Sequence, residues 1–154
     1  MPLKLEVNTR EHFAVHGFTG REYTVSNPWF SGTAEVTTYT LTELLSTKLL
    51  ALYQRKKGRD LYDLWLALSD AAIDRGRVIE CFSRYLKTVG STVSRAQFEA
   101  NLAGKMQDVA FVDDVRILIP QGVPYDPHIA AEKVLAELIA RLPGESWKGS
   151  GRSR

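Results

Sequence analysis

One short segment of the sequence gathers the side chains that can do chemistry. Two hydrophobic stretches, one ending near Tyr53 and one beginning near Leu61, flank a corner rich in charge: Arg55, Lys56, Lys57, Arg59, Asp60 and Asp63. On a helix, Lys48 falls two turns before Arg55 on the same line. Basic groups beside a helix amino terminus can hold a triphosphate, and Asp60 or Asp63 can orient the lysine or a metal-bound water. The corner is therefore a candidate anion site.

The same residues also fit a purely structural role. If the chain reverses at Gly58, Asp60 or Asp63 can reach Lys48 or Arg55 and form an ion pair that fixes a helical hairpin. Lys48 is predicted on the apolar face of its helix, so it needs a carboxylate or phosphate partner, or must extend its ammonium to water along its own methylenes. Spacing alone leaves the ion pair and the anion site open.

Length and composition describe an ordinary globular chain. With 154 residues, of which 44% are hydrophobic and 25% charged, it can bury one core as a single domain. The net charge of +2 is too small to indicate nucleic acid by itself. The single cysteine, Cys81, excludes an internal disulfide and a cysteine-built zinc site. There is no signal-peptide pattern and no apolar run near the roughly 20 residues that span a bilayer, so we expect a cytoplasmic protein without a membrane partner.

Local patterns predict strands first and helices afterwards. Short β-branched or aromatic runs separated by turn residues predict strands at 4–8, 21–25 and 33–40. Thr40 to Glu43 predicts a capping box, which begins a helix over 41–55. After Gly58 a second antiparallel helix is expected from 60 to about 73, followed by helices at about 76–88, 93–106 and 127–142.

These elements predict an α+β fold, in which a small antiparallel amino-terminal sheet packs on a mostly helical bundle. We expect one domain over residues 1–143, β-rich over 1–40 and helical over 41–143. The small, polar and basic residues 144–154 are expected to form a flexible tail.

Other chemical signals are weaker. His12 and His16 have helical metal-ligand spacing, but their surroundings predict strand and loop, with no third ligand nearby, so no metal-binding residue is predicted. The turn "VGST" over 89–92 is similar to a nucleotidyltransferase glycine-serine turn, yet no Asp-x-Asp follows it. Asp113 and Asp114 are expected to be solvated or to cap a helix.

The stretch "TYTLTELLSTKLLALYQRKKGRDLYDLWLAL" resembles the AbiEii/AbiGii family of nucleotidyltransferase-like toxins. These are toxins of bacterial abortive-infection and toxin-antitoxin systems. The shared features are the Glu-Leu-Leu start, a lysine inside the helix, an arginine after it, and Arg-Asp-Leu-Tyr-Asp-Leu at the start of the next helix. "LKLEVN" near the amino terminus and "FVDDVRILIP" near the carboxyl end extend the resemblance over nearly the whole chain.

The resemblance implies roles for residues of the hairpin. In the family, the lysine and the aspartates of this hairpin belong to the active site and help to bind a nucleoside triphosphate (NTP). We therefore expect catalytic roles for Lys48, Asp60 and Asp63, and also for Glu6, because "LKLEVN" is similar to the carboxylate-bearing strand of the family. Nucleotide binding is expected from Lys48, Arg55 and Arg59, together with Lys56 of the basic cluster.

The chain also departs from the family pattern. It has neither the glycine-rich turn nor the Asp-x-Asp strand that holds two magnesium ions, so it is similar to a carboxy-terminal portion. We expect it to be inactive alone, and to use Mg²⁺ only if a partner segment supplies the missing acids. Expected partners are a separate amino-terminal half, a cognate antitoxin, and tRNA or another RNA. The alternatives are a non-catalytic module that binds RNA or protein through its basic corner, and a degenerate remnant.

Overall fold

A computed structural model describes residues 13–69 and 72–149 and has the predicted α+β class. Its two strands are β1 (Phe18–Asn27) and β2 (Phe30–Tyr39). The helices are α1 (Leu41–Gln54), α2 (Gly58–Ala67), α3 (Arg75–Thr88), α4 (Arg95–Met106), α5 (Val109–Asp113) and α6 (Pro127–Glu137), with a short 3-10 helix at Ile139–Arg141. The predicted strand at 4–8 lies outside the described residues.

The strands form an antiparallel hairpin with an uninterrupted register from Phe18↔Tyr39 to Asn27↔Phe30. At its tip the Asn27 side chain accepts hydrogen bonds from the backbone amides of Trp29 and Phe30, at 3.0 and 2.9 Å, which closes the turn. Most hairpin side chains are exposed, and half-buried residues gather at its base next to α1. The core of the protein is therefore helical.

That core is formed by one face of each long helix. Its largest fully buried side chains come from α1 to α4 and from the segments after them, and include Leu49, Leu52, Leu61, Leu64, Phe82, Phe98, Leu102 and Phe111. The hydroxyl of Ser46 donates to the Thr42 carbonyl and, across the interface, to the Val78 carbonyl at 2.9 Å. A small residue at this position lets α1 and α3 pack closely.

The predicted capping box at the start of α1 is only half formed. The Thr40 hydroxyl accepts from the amide of Glu43 at 3.4 Å, as expected. The Glu43 carboxylate is instead fully buried, where it accepts from the amides of Val15 and His16 at 2.6 and 3.0 Å and from the Tyr85 hydroxyl at 2.5 Å. Burial and the bond to Glu43 raise the pKa of Tyr85. Glu43 thus ties the chain before the hairpin to α1 and α3.

The carboxyl end of the described chain contacts α4. The Arg95 amide donates to the Pro143 carbonyl at 2.8 Å, and the Trp147 amide donates to Glu99 at 2.6 Å. The flexibility of the segment from 144 onward stays a prediction. Of the helices in the described part of the chain, none is long and apolar enough to cross a membrane.

Candidate active site

The candidate site is built on the joint between α1 and α2, and Gly58 sets the geometry of that joint. Its φ is not in the left-handed region, so glycine is not needed there to reverse the chain. A Cβ on Gly58 would instead lie 2.1 Å from the carbonyl oxygen of Phe111. Glycine is required because the first turn of α2 packs directly against the backbone of α5.

Asp60 and Arg55 close the joint. Both carboxylate oxygens of Asp60 are engaged, one by Nε and the other by Nη2 of Arg55, at 2.7 Å each. Asp60 has no exposed surface, whereas the Arg55 side chain is half exposed. The hydrogen bonds to Asp60 and its negative charge raise the pKa of Arg55, although partial burial opposes them. Asp60 therefore faces the core side of α2, together with Leu61 and Leu64.

Lys48 connects this buried pair to the surface. Its ammonium lies 2.5 Å from Oδ2 of Asp63 and 3.5 Å from Oδ1 of Asp60, so the predicted proximity to both carboxylates is confirmed. The side chains of Lys48 and Asp63 are 36% and 41% exposed. Lys48 continues an exposed line with Leu41 and Leu44, and the buried face of α1 lies to one side of it. Its ammonium is thus accessible to a ligand.

The other cations of the corner are largely paired within the protein. Lys56 forms an ion pair with Asp108, the N-cap of α5, and this pair together with the Ala110 amide lowers the pKa of Asp108. Lys57 lies 3.9 Å from Asp114, whose other oxygen accepts from the Arg59 amide at 3.3 Å. Asp114 thus has the capping role expected for it and occupies the amino terminus of α2. In the described ranges the exposed Arg59 guanidinium has no ion pair.

Lys105 is a site neighbour that the sequence patterns did not single out. It is 8% exposed, and its ammonium donates to the carbonyls of Leu52 and Tyr53, the latter at 2.8 Å. Burial lowers its pKa to about 8, against the opposing effect of the Asp60 charge. A signal was present, because Phe98, Leu102 and Lys105 share one stripe of α4 and a lysine on an apolar stripe needs a partner.

The described residues do not fit a magnesium ion. Among residues 13–69 and 72–149, no group of three or more acidic, histidine or cysteine side chains is placed to hold a metal. Asp60 is occupied by Arg55 and Asp63 by Lys48, which leaves no free carboxylate pair at the joint. Glu6, expected to contribute one acid, lies outside the described residues.

One cavity in the described part of the chain lies away from the joint. It is a groove of about 470 Å³ between α4 and α6, lined mainly by apolar side chains such as Leu102, Leu135 and Trp147. Arg95 on its edge is paired with Glu99 at 2.7 Å. Without an available cation the groove does not suit phosphates, so the joint, which is open to solvent on the Lys48 side, remains the candidate site.

Comparison with known proteins supports the family resemblance of the helical hairpin. No curated protein and no solved structure matches the chain significantly. The family model described as "Nucleotidyl transferase AbiEii toxin, Type IV TA system" matches residues 1–141, and this range contains the whole joint. The chain therefore belongs to the AbiEii family of nucleotidyltransferase toxins of type IV toxin-antitoxin systems.

Proposed function

We propose that this chain supplies the nucleotide-binding surface of a nucleotidyltransferase toxin, and that Lys48 contacts the phosphates of the incoming NTP. Family membership supports transferase chemistry. The observation that carries the proposal is the position of Lys48, whose partly exposed ammonium is held at the surface by Asp63 and, from behind, by the buried Asp60. The lysine ammonium is a compact charge on a flexible stem, so it can turn from a carboxylate to a phosphate.

Each neighbour of Lys48 has a distinct part in the proposal. Arg55 and Asp60 form the fixed base of the site, because their bidentate pair sets where Oδ1 of Asp60 faces Lys48. Asp63 pairs with the Lys48 ammonium in the absence of nucleotide, and a phosphate replaces Asp63 as the partner when the nucleotide binds. Since the pair with Asp63 is half exposed, exchanging one anion for another there costs little.

Charge balance shows what else the nucleotide needs. Lys48 and Arg55 are offset by Asp60 and Asp63, so a triphosphate would leave the joint strongly negative. The exposed Arg59 can add one cation, and Lys56 a second if it leaves Asp108. Their roles as nucleotide-binding residues stay predictions.

Transfer of the nucleotide requires more than these residues. Two-metal transfer uses a cluster of carboxylates that fixes Mg²⁺ beside the reacting phosphate. We propose that a separate amino-terminal half brings these acids, and that the acceptor in the complete system is an RNA such as tRNA at its 3′ end, or a protein. Membership of a toxin-antitoxin family implies an antitoxin partner as well.

The rival proposal, a non-catalytic module that binds RNA or protein through its basic corner, has less support. Lys56 and Lys57 are already paired with Asp108 and Asp114, so the corner presents less free positive charge than its sequence suggests. A fluorescently labelled tRNA titration distinguishes the two. Under the rival proposal the wild type binds tRNA but not NTP, and changing Lys56 and Lys57 to Gln weakens the tRNA binding.

Phosphorus NMR of ATP tests the proposed site directly. Adding the wild-type chain should shift and broaden the phosphate resonances, because the ammonium of Lys48 approaches them. Lys48→Met should remove the effect, whereas Lys87→Met, on the exposed end of α3, should not. Equal spectra with wild type and Lys48→Met would contradict the proposal.

A further inference from the structure

The two helix ends that meet at the joint are capped by residues distant in the sequence. The last turn of α1 contains no basic residue, and its carbonyls at Leu52 and Tyr53 both accept from Lys105 of α4. Carbonyls at a helix carboxyl end lack partners within the helix, and a cation there also complements the helix dipole. Lys105, 53 residues after Leu52, therefore supplies the hydrogen-bond donor and the positive charge that the last turn of α1 lacks.

The start of α2 has the complementary arrangement. Its N-cap residue, Lys57, makes no side-chain capping bond, and Asp114 accepts from the Arg59 amide in its place. Asp108 meanwhile pairs with Lys56 in the joint itself. Both helix ends and the segment between them are thus held by three charged residues: Lys105, Asp108 and Asp114.

We propose that Lys105 is a positioning residue for the nucleotide site, since it fixes the last turn of α1 so that Arg55 stays bidentate on Asp60 and Asp60 stays opposite Lys48. This inference rests on the proposed nucleotide-binding function. Tyr53 and Leu52 lie only two and three residues before Arg55. Freeing their carbonyls would let the last turn fray and would move the Arg55 guanidinium away from the plane of the carboxylate.

The burial of Lys105 argues for such a role over simple stabilisation. No carboxylate of the described chain lies within ion-pair distance of its ammonium, so placing this cation at 8% exposure carries a desolvation cost. An apolar side chain of similar length would fill the same space without that cost. What it cannot do is donate hydrogen bonds to the end of α1.

Hydrogen exchange at Arg55 provides a local readout. The Nε–H of Arg55 donates to Asp60 at 2.7 Å, so its exchange with solvent, followed by ¹⁵N NMR, reports whether this bond persists. Lys105→Met should speed this exchange about tenfold or more, while the amides of Phe82 and Leu86 in the α3 core keep their protection. ATP affinity should fall about tenfold in parallel, a loss of about 1.4 kcal/mol. Lys105→Arg, which keeps charge and donors, should restore both.

Three results test whether Lys105 positions Arg55. Unchanged Arg55 exchange in Lys105→Met would overturn the proposal, and so would an equal rise at Arg55 and in α3, which indicates general destabilisation. If wild type binds no ATP, the proposed function fails, and the exchange measurement still decides whether Lys105 positions Arg55. If Lys105→Met does not fold, Lys105→Leu, which is shorter and likewise has no hydrogen-bond donor, takes its place under the same criteria.

Discussion

Arg55 binds Asp60 through two hydrogen bonds of 2.7 Å across the joint between α1 and α2, although Asp60 is fully buried and Arg55 is half exposed. The buried carboxylate therefore depends on a cation that reaches in from the surface. Lys48 approaches the same carboxylate from the other side, at 3.5 Å. The joint is at once an ion pair that holds the helical hairpin together and the support of a surface lysine, so the structural and functional interpretations of the hairpin are compatible.

Removing the Arg55 charge should destabilise the fold strongly. In Arg55→Met the buried Asp60 keeps only the more distant Lys48, and breaking a buried pair on one side typically costs about 3–5 kcal/mol. Urea unfolding measures the loss. The matched control is Arg84→Met, which breaks the exposed pair with Glu80 in α3 and should cost less than about 1 kcal/mol. Similar losses for the two variants would mean that Asp60 is not buried as described.

Substituting alanine for Gly58 should also be destabilising. The new Cβ would meet the Phe111 carbonyl oxygen at 2.1 Å, so α2 and α5 must move apart, at a cost of about 1–3 kcal/mol. Gly104→Ala is the control, because a Cβ there meets nothing within 4 Å and alanine favours the helix by roughly 0.5–1 kcal/mol. The two glycine variants should shift the thermal midpoint in opposite directions, and a shared direction would be inconsistent with the packing at Gly58.

The lowered pKa of Lys105 predicts a pH dependence of stability. Its pKa is about 8 in the folded protein and about 10.4 when unfolded, so between these values the unfolded chain binds more protons and the free energy of unfolding rises with pH. Between pH 7 and 9.5, wild type should gain about 2 kcal/mol relative to Lys105→Met. Urea unfolding of both proteins at the two pH values gives this difference. A difference that does not change with pH would show that the Lys105 pKa is ordinary.

The isolated chain should not transfer nucleotides. It has no acidic cluster of the kind that two-metal transfer uses among its described residues, so incubation with Mg²⁺, labelled NTPs and total tRNA should leave RNA and protein unlabelled. Gel electrophoresis of the products checks this. Label above the level of a Lys48→Met control would mean that the chain carries its own metal-binding acids.

Local signals in the sequence were sufficient to predict the hairpin of helices and its central contacts. A cap at Thr40, a short joint at Gly58 and the spacing of Lys48, Asp60 and Asp63 all act over a few residues, and the structure brings these three side chains together. The position of Lys48 on its helix was less well predicted. Because α1 is apolar on two sides, its helical pattern did not show which side faces the core.

The parts that the sequence did not predict depend on long-range contacts. Lys105 reaches α1 across 53 residues and Asp114 reaches α2 across 55, and no periodicity within one helix encodes such a meeting. The same reason explains why the capping role of Glu43 was predicted wrongly. Its carboxylate binds Val15, 28 residues before it, and Tyr85, 42 residues after it. The sequence did not show that the basic corner is paired, because its acidic partners Asp108 and Asp114 lie about 50 residues away, at the two ends of α5.

The most direct test of the nucleotide site is an ATP titration by calorimetry of wild type, Lys48→Met and Lys87→Met, combined with their thermal unfolding. Because the Lys48–Asp63 pair is half exposed, Lys48→Met should change stability by less than about 1 kcal/mol, so a loss of binding can be attributed to the site. We predict a Kd of about 0.1–1 mM for wild type and Lys87→Met, and no measurable binding by Lys48→Met. Binding that is absent in wild type, or equal in Lys48→Met, would contradict the account.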